Sequence, residues 1–426
     1  MQNATLWRAL LGVEKTVVED IEFFEDRELL VAHVRPRARA RARGRCGRCQ
    51  RRSPAYDRGQ GRRRWRALDL GTIQVWLEAE APRVRCLEHG PTVAALPWAR
   101  HAAGHTYAFD EQVAWLATQC SKSAVTELMR VAWRTVGAII SRVWADVEAL
   151  HDRFAGLSRI GIDEISYKRG FKFLTVVVDH DTGRLVWAAP GKDRATLAGF
   201  FDLLGEQRCA QITHVSADGA DWIADVVADR CPHAVRCADP FHVVKWATQA
   251  LDVVRRQAWN NARGRRRTPA QIRAKGGGTG AAAAIKGSRY ALWKNPQNLT
   301  SRQQAKLAWI AKTDPTLYRA YLLKEGLRLV FHLDHDEAPE ALETWIGWAR
   351  RCRIPAFVEL QKRVVRHKAA ILAAIEHGLS NGRIESVNTK IRLITRIAFG
   401  FRSPQALIAL AMLNLGGHRP VLPGRS

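Results

Sequence analysis

Apolar and polar positions change their spacing several times along the chain. In RRWRALDLG and TIQVWLEAEAPRVRC, residues 63–86, apolar and polar residues alternate at Val75, Leu77 and Ala79, which predicts strands. After LPWARHAAGHTYAFD the spacing becomes helical. Val113, Leu116 and Ala117 come first, AVTELMRVA follows a break at CSKS, and Val136, Ile139, Ile140 and Val143 mark a longer amphipathic run. Ser123 and Thr135 are the N-caps this pattern suggests. Three short helices in this space fit either a helix-turn-helix, its third helix in a major groove, or a plain helical spacer.

From about residue 158 short apolar strands take over. SRIGIDEISYKRG gives a strand ending at Asp163 and Glu164, FKFLTVVVDHDTG a strand turning at Asp181-Thr182-Gly183, and RLVWAAPG a third. A helix around ATLAGFFDLLGEQ leads to ITHVSADGADW, a strand ending at Asp218 and Gly219. DWIADVVADRCP is helical, and HAVRCADPFHVVKW is a strand running into a helix. Residues 247–375 are mostly helical, with apolar faces marked by Trp309, Leu322, Leu327, Trp345 and Trp348.

The order β-β-β-α-β-α-β predicts an α/β ribonuclease-H-like core, whose first and fourth strands bring acids to one sheet edge. Asp163 and Asp218 hold those positions. Two carboxylates gathered at strand ends suit divalent metals and phosphoryl transfer. A third acid should come from a later helix. In LSNGRIESVNTKIRLITRIAFGF, Ile384, Val387, Ile391 and Ile394 form one face, and Glu385, Asn388, Arg392 and Arg396 another. One acid followed by amide and basic groups fits a metal ligand beside a phosphate track. A lone acid at a strand end is usually a turn residue; Glu164, Asp179, Asp181 and Asp221 read that way. Order and spacing together single out the three.

With 426 residues, 47% of them hydrophobic, the chain can bury cores for two to four domains. Its net charge of +26 disfavours a generic metabolic enzyme and points to a polyanion such as nucleic acid. The excess is local. Arg35–Arg66 holds 14 Arg against Asp57 alone, and Val253–Lys294 holds 11 basic residues and no acid. Two basic blocks on a near-neutral body read as two DNA-contacting surfaces. Arg51, Arg52, Arg62, Arg63 and Arg64 represent the first, Arg265, Arg266 and Arg267 the second, and Arg392 and Arg396 the helix beyond. No apolar run reaches membrane-spanning length and the start lacks a signal-peptide pattern, so no membrane partner and a cytoplasmic location are expected.

Eight cysteines in such a chain do not suggest disulfides. Cys120, Cys209, Cys231, Cys237 and Cys352 read as buried small hydrophobes. Cys46 and Cys49 form C-x-x-C, Cys86 and His89 form C-x-x-H, and strands separate the pairs. That is the zinc-ribbon arrangement, with two knuckles tied by one structural tetrahedral ion.

GIDEISYKRG, VSADGADW, ADPFHVVKWA, SNGRIESVNTKIR and AFGFRSPQALIALAMLNLGG resemble the ISL3 type of insertion-sequence transposase. The likeness runs from about residue 40 to 416, although Cys86 pairs with His89 where two Cys are more usual. It implies a DDE transposase with the triad Asp163, Asp218 and Glu385 on two magnesium or manganese ions. Asp239 is the other candidate for the second acid, since it also follows an apolar strand; ADPFH resembles a D-x-x-H element found after the second acid in related transposases, and its His242 either positions a phosphate or packs under the sheet. The implied domains are a zinc ribbon at 1–100, a helix-turn-helix segment at 101–155, a core at 156–250 with 376–416, and a basic helical insertion at 251–375. The expected partners are DNA, as element ends and target, and further copies of the chain in a dimer or larger synaptic assembly. The expected place is the bacterial nucleoid. A zinc-containing DNA-binding regulator with an inactive core, and a nuclease or resolvase without strand joining, are the alternatives.

Overall fold

In the computed structural model, residues 2–37, 44–264 and 280–425 are described. Two compact units emerge: Met1–Arg153 with Leu393–Ser426, and Phe154–Arg392. Among the described residues, no helix is long and apolar enough to cross a membrane.

The first unit opens with helix α1 (Gln2–Leu10) and strands β1 (Thr16–Phe24) and β2 (Leu29–Pro36). Next come β3 (Ala55–Asp57), β4 (Arg62–Arg66), β5 (Gln74–Glu80), β6 (Arg83–Cys86) and β7 (Gly90–Val93). They build two sheets, β1-β2-β5-β4 and β3-β6-β7. The alternation in β5 is expressed as expected: Val75, Leu77 and Ala79 are buried with Leu30, Ala32, Val34 and Trp65. A ribbon alone does not account for this region. The chain between the ligand pairs serves both sheets, because β5 lies parallel to β2 from the unread N-terminal hairpin.

Helices α2 (Tyr107–Gln119), α3 (Lys122–Met129) and α4 (Trp133–Leu150) follow. Val113, Val125, Val136, Ile139, Ile140 and Val143 are all buried. The caps differ from expectation. Ser121 caps α3 by accepting from the Ala124 N–H at 3.2 Å, so Ser123 lies inside the first turn. Helix α4 starts after Ala132, which puts Thr135 inside it as well.

The second unit carries β8 (Arg159–Lys168), β9 (Lys172–Asp179), β10 (Leu185–Pro190), α5 (Arg194–Leu204), α6 (Glu206–Cys209), β11 (His214–Ala217), α7 (Asp221–Arg230) and β12 (Val235–Ala238). The sheet order is β10-β9-β8-β11-β12, antiparallel as far as β8 and parallel beyond it. Ile160, Ile162 and Val215 share one core with Leu197 and Phe200 of α5 and Ile223 and Val227 of α7. The pleat turns Gly161 and Asp163 to the other face. Asp163 is not at a strand end. Pairing with β11 stops at Ile162, while pairing with β9 carries β8 on to Lys168.

Helix α8 (Pro240–Gly264) leaves β12 and enters a helical cluster of α9 (Ala281–Lys286), α10 (Arg289–Trp293), α11 (Ser301–Thr313), α12 (Pro315–Val330), α13 (Ala338–Arg351), α14 (Pro355–Arg366) and α15 (Lys368–Glu376). Leu251, Leu327, Trp345 and Phe357 share its core, whereas Leu322 and Trp348 are each 38% exposed. A border near residue 250 therefore falls inside α8. In α16 (Gly382–Ile397) Ile384, Val387 and Ile391 are buried. The last helix, α17 (Pro404–Leu415), is apolar nearly all round and packs on α2 and α4 within the first unit.

Candidate active site and zinc centre

Cys46, Cys49, Cys86 and His89 come together, their ligand atoms all within 4.8 Å of one another. Cys49 Sγ and Cys86 Sγ are 3.6 Å apart, and His89 Nδ1 lies 3.6 Å from Cys86 Sγ and 3.7 Å from Cys46 Sγ. A tetrahedral zinc with sulfurs at about 2.3 Å and a nitrogen at about 2.0–2.1 Å sets its ligands roughly 3.6–3.8 Å apart, so the residues fit the ion. The first knuckle is made by the Arg48 N–H donating to Cys46 Sγ at 3.4 Å, and by Gly47, where a Cβ would stand 2.6 Å from the Val93 carbonyl. At the second, the backbone N–H of His89 and then its ring hold the Cys86 thiol down to about 6. The other cysteines are free and buried except Cys120, which is half-buried.

The acids are set by strand register. Ile162, Ala217 and Ala238 are aligned across three parallel strands, and each precedes an aspartate: Asp163, Asp218 and Asp239. The carboxyl ends of such strands form the crevice where ligands bind. Burial pushes Asp163 up to about 6, and the charges of Asp218 and Glu164 add to this against the Glu164 N–H and His242. Asp218 accepts the Ala220 N–H at 2.8 Å. Asp239 differs. It is buried and occupied, taking His242 Nδ1 at 2.6 Å, the Phe241 N–H at 3.3 Å and the Asn381 N–H at 3.4 Å. His242 Nε2 stands 4.0 Å from Asp218. Its pKa is raised, first by the bond to Asp239.

Helix α16 docks over Gly161, where a Cβ would come 2.1 Å from Ile384 Cδ1. Asn388, which the sequence pattern put on a face with Glu385, is buried and donates to Asp163 Oδ2 at 2.7 Å. Its Oδ1 is buried with no partner among the described residues. Glu385, one turn earlier, is exposed, and its carboxylate makes no hydrogen bond or ion pair among the described residues. A buried relay ties this helix start to the sheet. Ser216 donates to Asn381 Oδ1 at 2.6 Å and lies 2.6 Å from His180 Nε2, while Arg383 donates to the His180 carbonyl. Burial first, then Arg383, pushes His180 down to about 4, so it is a neutral donor here. The sequence reading offered Asn381 only as a possible helix cap, beside Ser380, and passed over Ser216 and His180; a serine inside an apolar strand was the available signal.

The arginines divide. Arg62 and Arg64 both hydrogen-bond Glu78, at 2.8 and 2.7 Å, and Arg63 lies over the Trp65 ring. Arg51 pairs with Glu88 at 3.3 Å, and Arg52, Arg392 and Arg396 are exposed. Arg265, Arg266 and Arg267 fall outside the described residues.

Comparison with known proteins agrees with this geometry. A family model of the ISL3 DDE kind, described as transposase, matches residues 160–411. The helix-turn-helix domain of transposase family ISL3 matches residues 94–144, which removes the plain-spacer alternative. The zinc-finger of transposase IS204/IS1001/IS1096/IS1165 matches residues 42–89. Transposases for insertion sequence element IS1557 from two Mycobacterium tuberculosis strains, CDC 1551 / Oshkosh and H37Rv, are each 67% identical over 100% of this chain and 98% of their own length. The transposase for insertion sequence element IS1001 of Bordetella parapertussis is 27% identical over 95% of this chain and 96% of its own.

Proposed function

This chain belongs to the ISL3 family of insertion-sequence transposases, and from that premise we propose that Asp163, Asp218 and Glu385 are its catalytic acids, on a ribonuclease-H-like core. The observation that carries the reading is the register of Asp163 beside Asp218, joined to α16 through Asn388. The donor set fits two magnesium or manganese ions. It is all oxygen, Asp163 is half-buried, and among the described residues no cationic side chain is bonded to it and the Asn388 oxygen has no partner. When bound, such ions activate the attacking oxygen and neutralise the leaving one.

The protein's own groups do the rest. Asn388 fixes the Asp163 carboxylate, and Asp239 orients His242 so that Nε2 faces Asp218 and the scissile phosphate. Water attacks the phosphodiester at the element end, the P–O3′ bond breaks, and a 3′ hydroxyl is freed. That hydroxyl attacks a target phosphodiester, forming a new P–O bond and releasing a target 3′ hydroxyl. The zinc ribbon and the helix-turn-helix bind the terminal repeats, residues 251–375 act as a DNA-contacting insertion, and two or more copies join two ends on the bacterial nucleoid. Incubating the protein with a terminal-repeat duplex, target plasmid and magnesium tests this; binding without nicking would favour a regulator, and nicking without joining a nuclease.

Two expected results follow from Asp163. Asn388→Ala lowers cleavage and manganese affinity about 10- to 100-fold, as losses of a ligand's supporting bond do, and spares end binding. Full activity in that variant would refute the positioning role. The Asp163 pKa of about 6 lies above its ordinary 3.8. The metal-free protein therefore gains stability as pH falls from about 6 toward 4, and lacks that gain above 6. Metal binding needs the carboxylate, so manganese affinity, read from the rise in Tm, weakens about tenfold per pH unit below 6 and levels off above it. A flat response between pH 5 and 7.5 would contradict this.

A further inference from the structure

Helix α14, in the helical cluster, places one cation beside the acids. Arg363 Cζ lies 3.7 Å from the Trp246 ring centroid, and Nη2 donates to the Gly219 carbonyl at 3.5 Å. Trp246 in turn lies against Gly219, where a Cβ would stand 2.3 Å from ring carbon Cζ2. Gly219, Trp246 and Arg363 thus form a stack directly after Asp218. Other charges on α14 are engaged: Lys362 pairs with Glu359 at 2.7 Å, and Arg366 lies 3.9 Å from Asp221. Arg363 is exposed, holds no ion pair among the described residues and spends one long hydrogen bond of its five donors. Stacking on an indole fixes the plane of the guanidinium, which leaves its remaining donors aimed as a fork. A planar fork beside oxygen ligands for metal ions matches a phosphodiester, which such ions would also hold when bound.

We infer that Arg363 is a substrate-binding residue of the strand-transfer site, gripping a phosphate of the DNA strand that is cut. The inference rests on reading Asp218 as a metal-holding acid. It also accounts for Trp246 and Gly219, which set the height and plane of the guanidinium in a way that a lysine could not reproduce.

The test uses the full chain and duplexes of the element's terminal repeat, with methylphosphonates placed at the phosphates around the cut. Calcium replaces magnesium in binding measurements. Arg363→Ala is expected to cut about 100-fold more slowly in single turnover, the loss typical of one donor to a reacting phosphate. Its binding should show a salt slope smaller by about one. One methylphosphonate position should weaken binding of the wild-type chain and not of Arg363→Ala. Arg363→Lys should recover part of the salt slope and little of the rate. An Arg363→Ala protein with wild-type cleavage, or with undiminished sensitivity at every methylphosphonate, overturns the inference. Arg363→Gln replaces it if the alanine variant melts early, with the same two criteria. Asp218→Ala runs alongside. If it cleaves normally the catalytic reading fails, whereas a silent Arg363 variant beside a dead Asp218 variant removes only the phosphate contact.

Discussion

Alanine at Asp163, Asp218 or Glu385 is expected to stop both end cleavage and strand joining, each by about 10³-fold or more, while terminal-repeat binding stays near wild type. The three losses have different weights in the structure. Asp163 is half-buried on the face covered by α16 and bonded to Asn388, so removing it empties the centre of the proposed site. Among the described residues Asp218 has one hydrogen bond, from its own turn, and its other oxygen faces His242 Nε2 at 4.0 Å. Glu385 is exposed, so its variant should leave Tm unchanged; its effect is the cleanest test of a purely chemical role. Asp239→Asn separates the candidates for the second acid. Both Asp239 oxygens are engaged by His242, Phe241 and Asn381, so this variant should mis-set His242 and alter the pH profile rather than mimic Asp218→Ala. Wild-type cleavage by Asp218→Ala with none by Asp239→Asn would reverse the two roles.

Much of this site is written in local pattern. Four-residue β11 ends at Ala217, so Asp218 follows an apolar run that any reader of alternation meets. Asp163 was singled out as a strand-end acid, but its strand continues, and what ends there is pairing with β11, a fact of register that no local window contains. Which way Asn388 faces is likewise not a local property. A helical wheel fixes the angle between Glu385 and Asn388 but not which residue the sheet turns inward; Gly161 decides that by admitting Ile384. The basic block from Arg35 to Arg66 was legible as charge, not as free charge. Arg64 is the cross-strand partner of Glu78, which also takes Arg62, so two of its arginines stabilise their own sheet. Arg363 carried no signal at all. It reaches Gly219 from 144 residues away, and only the packing of Trp246 marks it.

Zinc removal should have the second large effect, confined to the ribbon. The three-stranded sheet β3-β6-β7 has a cluster of its own in which Cys46, Val84 and Cys86 are the buried side chains. Burying a side chain of this kind contributes at most about 1.5–3 kcal/mol, too little to offset the ordering of the two knuckles and three short strands. A structural zinc at such a site contributes about 10–16 kcal/mol, so here the ion supplies the folding free energy. Cys86→Ala, or exhaustive chelation, is expected to take zinc from about one per chain to none, and to expose the amides of Arg83–Val93 to fast hydrogen exchange. Terminal-repeat binding should fall at least about tenfold, because Arg51 and Arg52 are presented by the first knuckle. The second unit has its own cores, so its amides should stay protected. Metal analysis with exchange mass spectrometry reads both halves of the claim. A zinc-free chain that kept protection across Arg83–Val93 would mean that the sheet holds itself and that Cys46, Cys49, Cys86 and His89 meet for another reason.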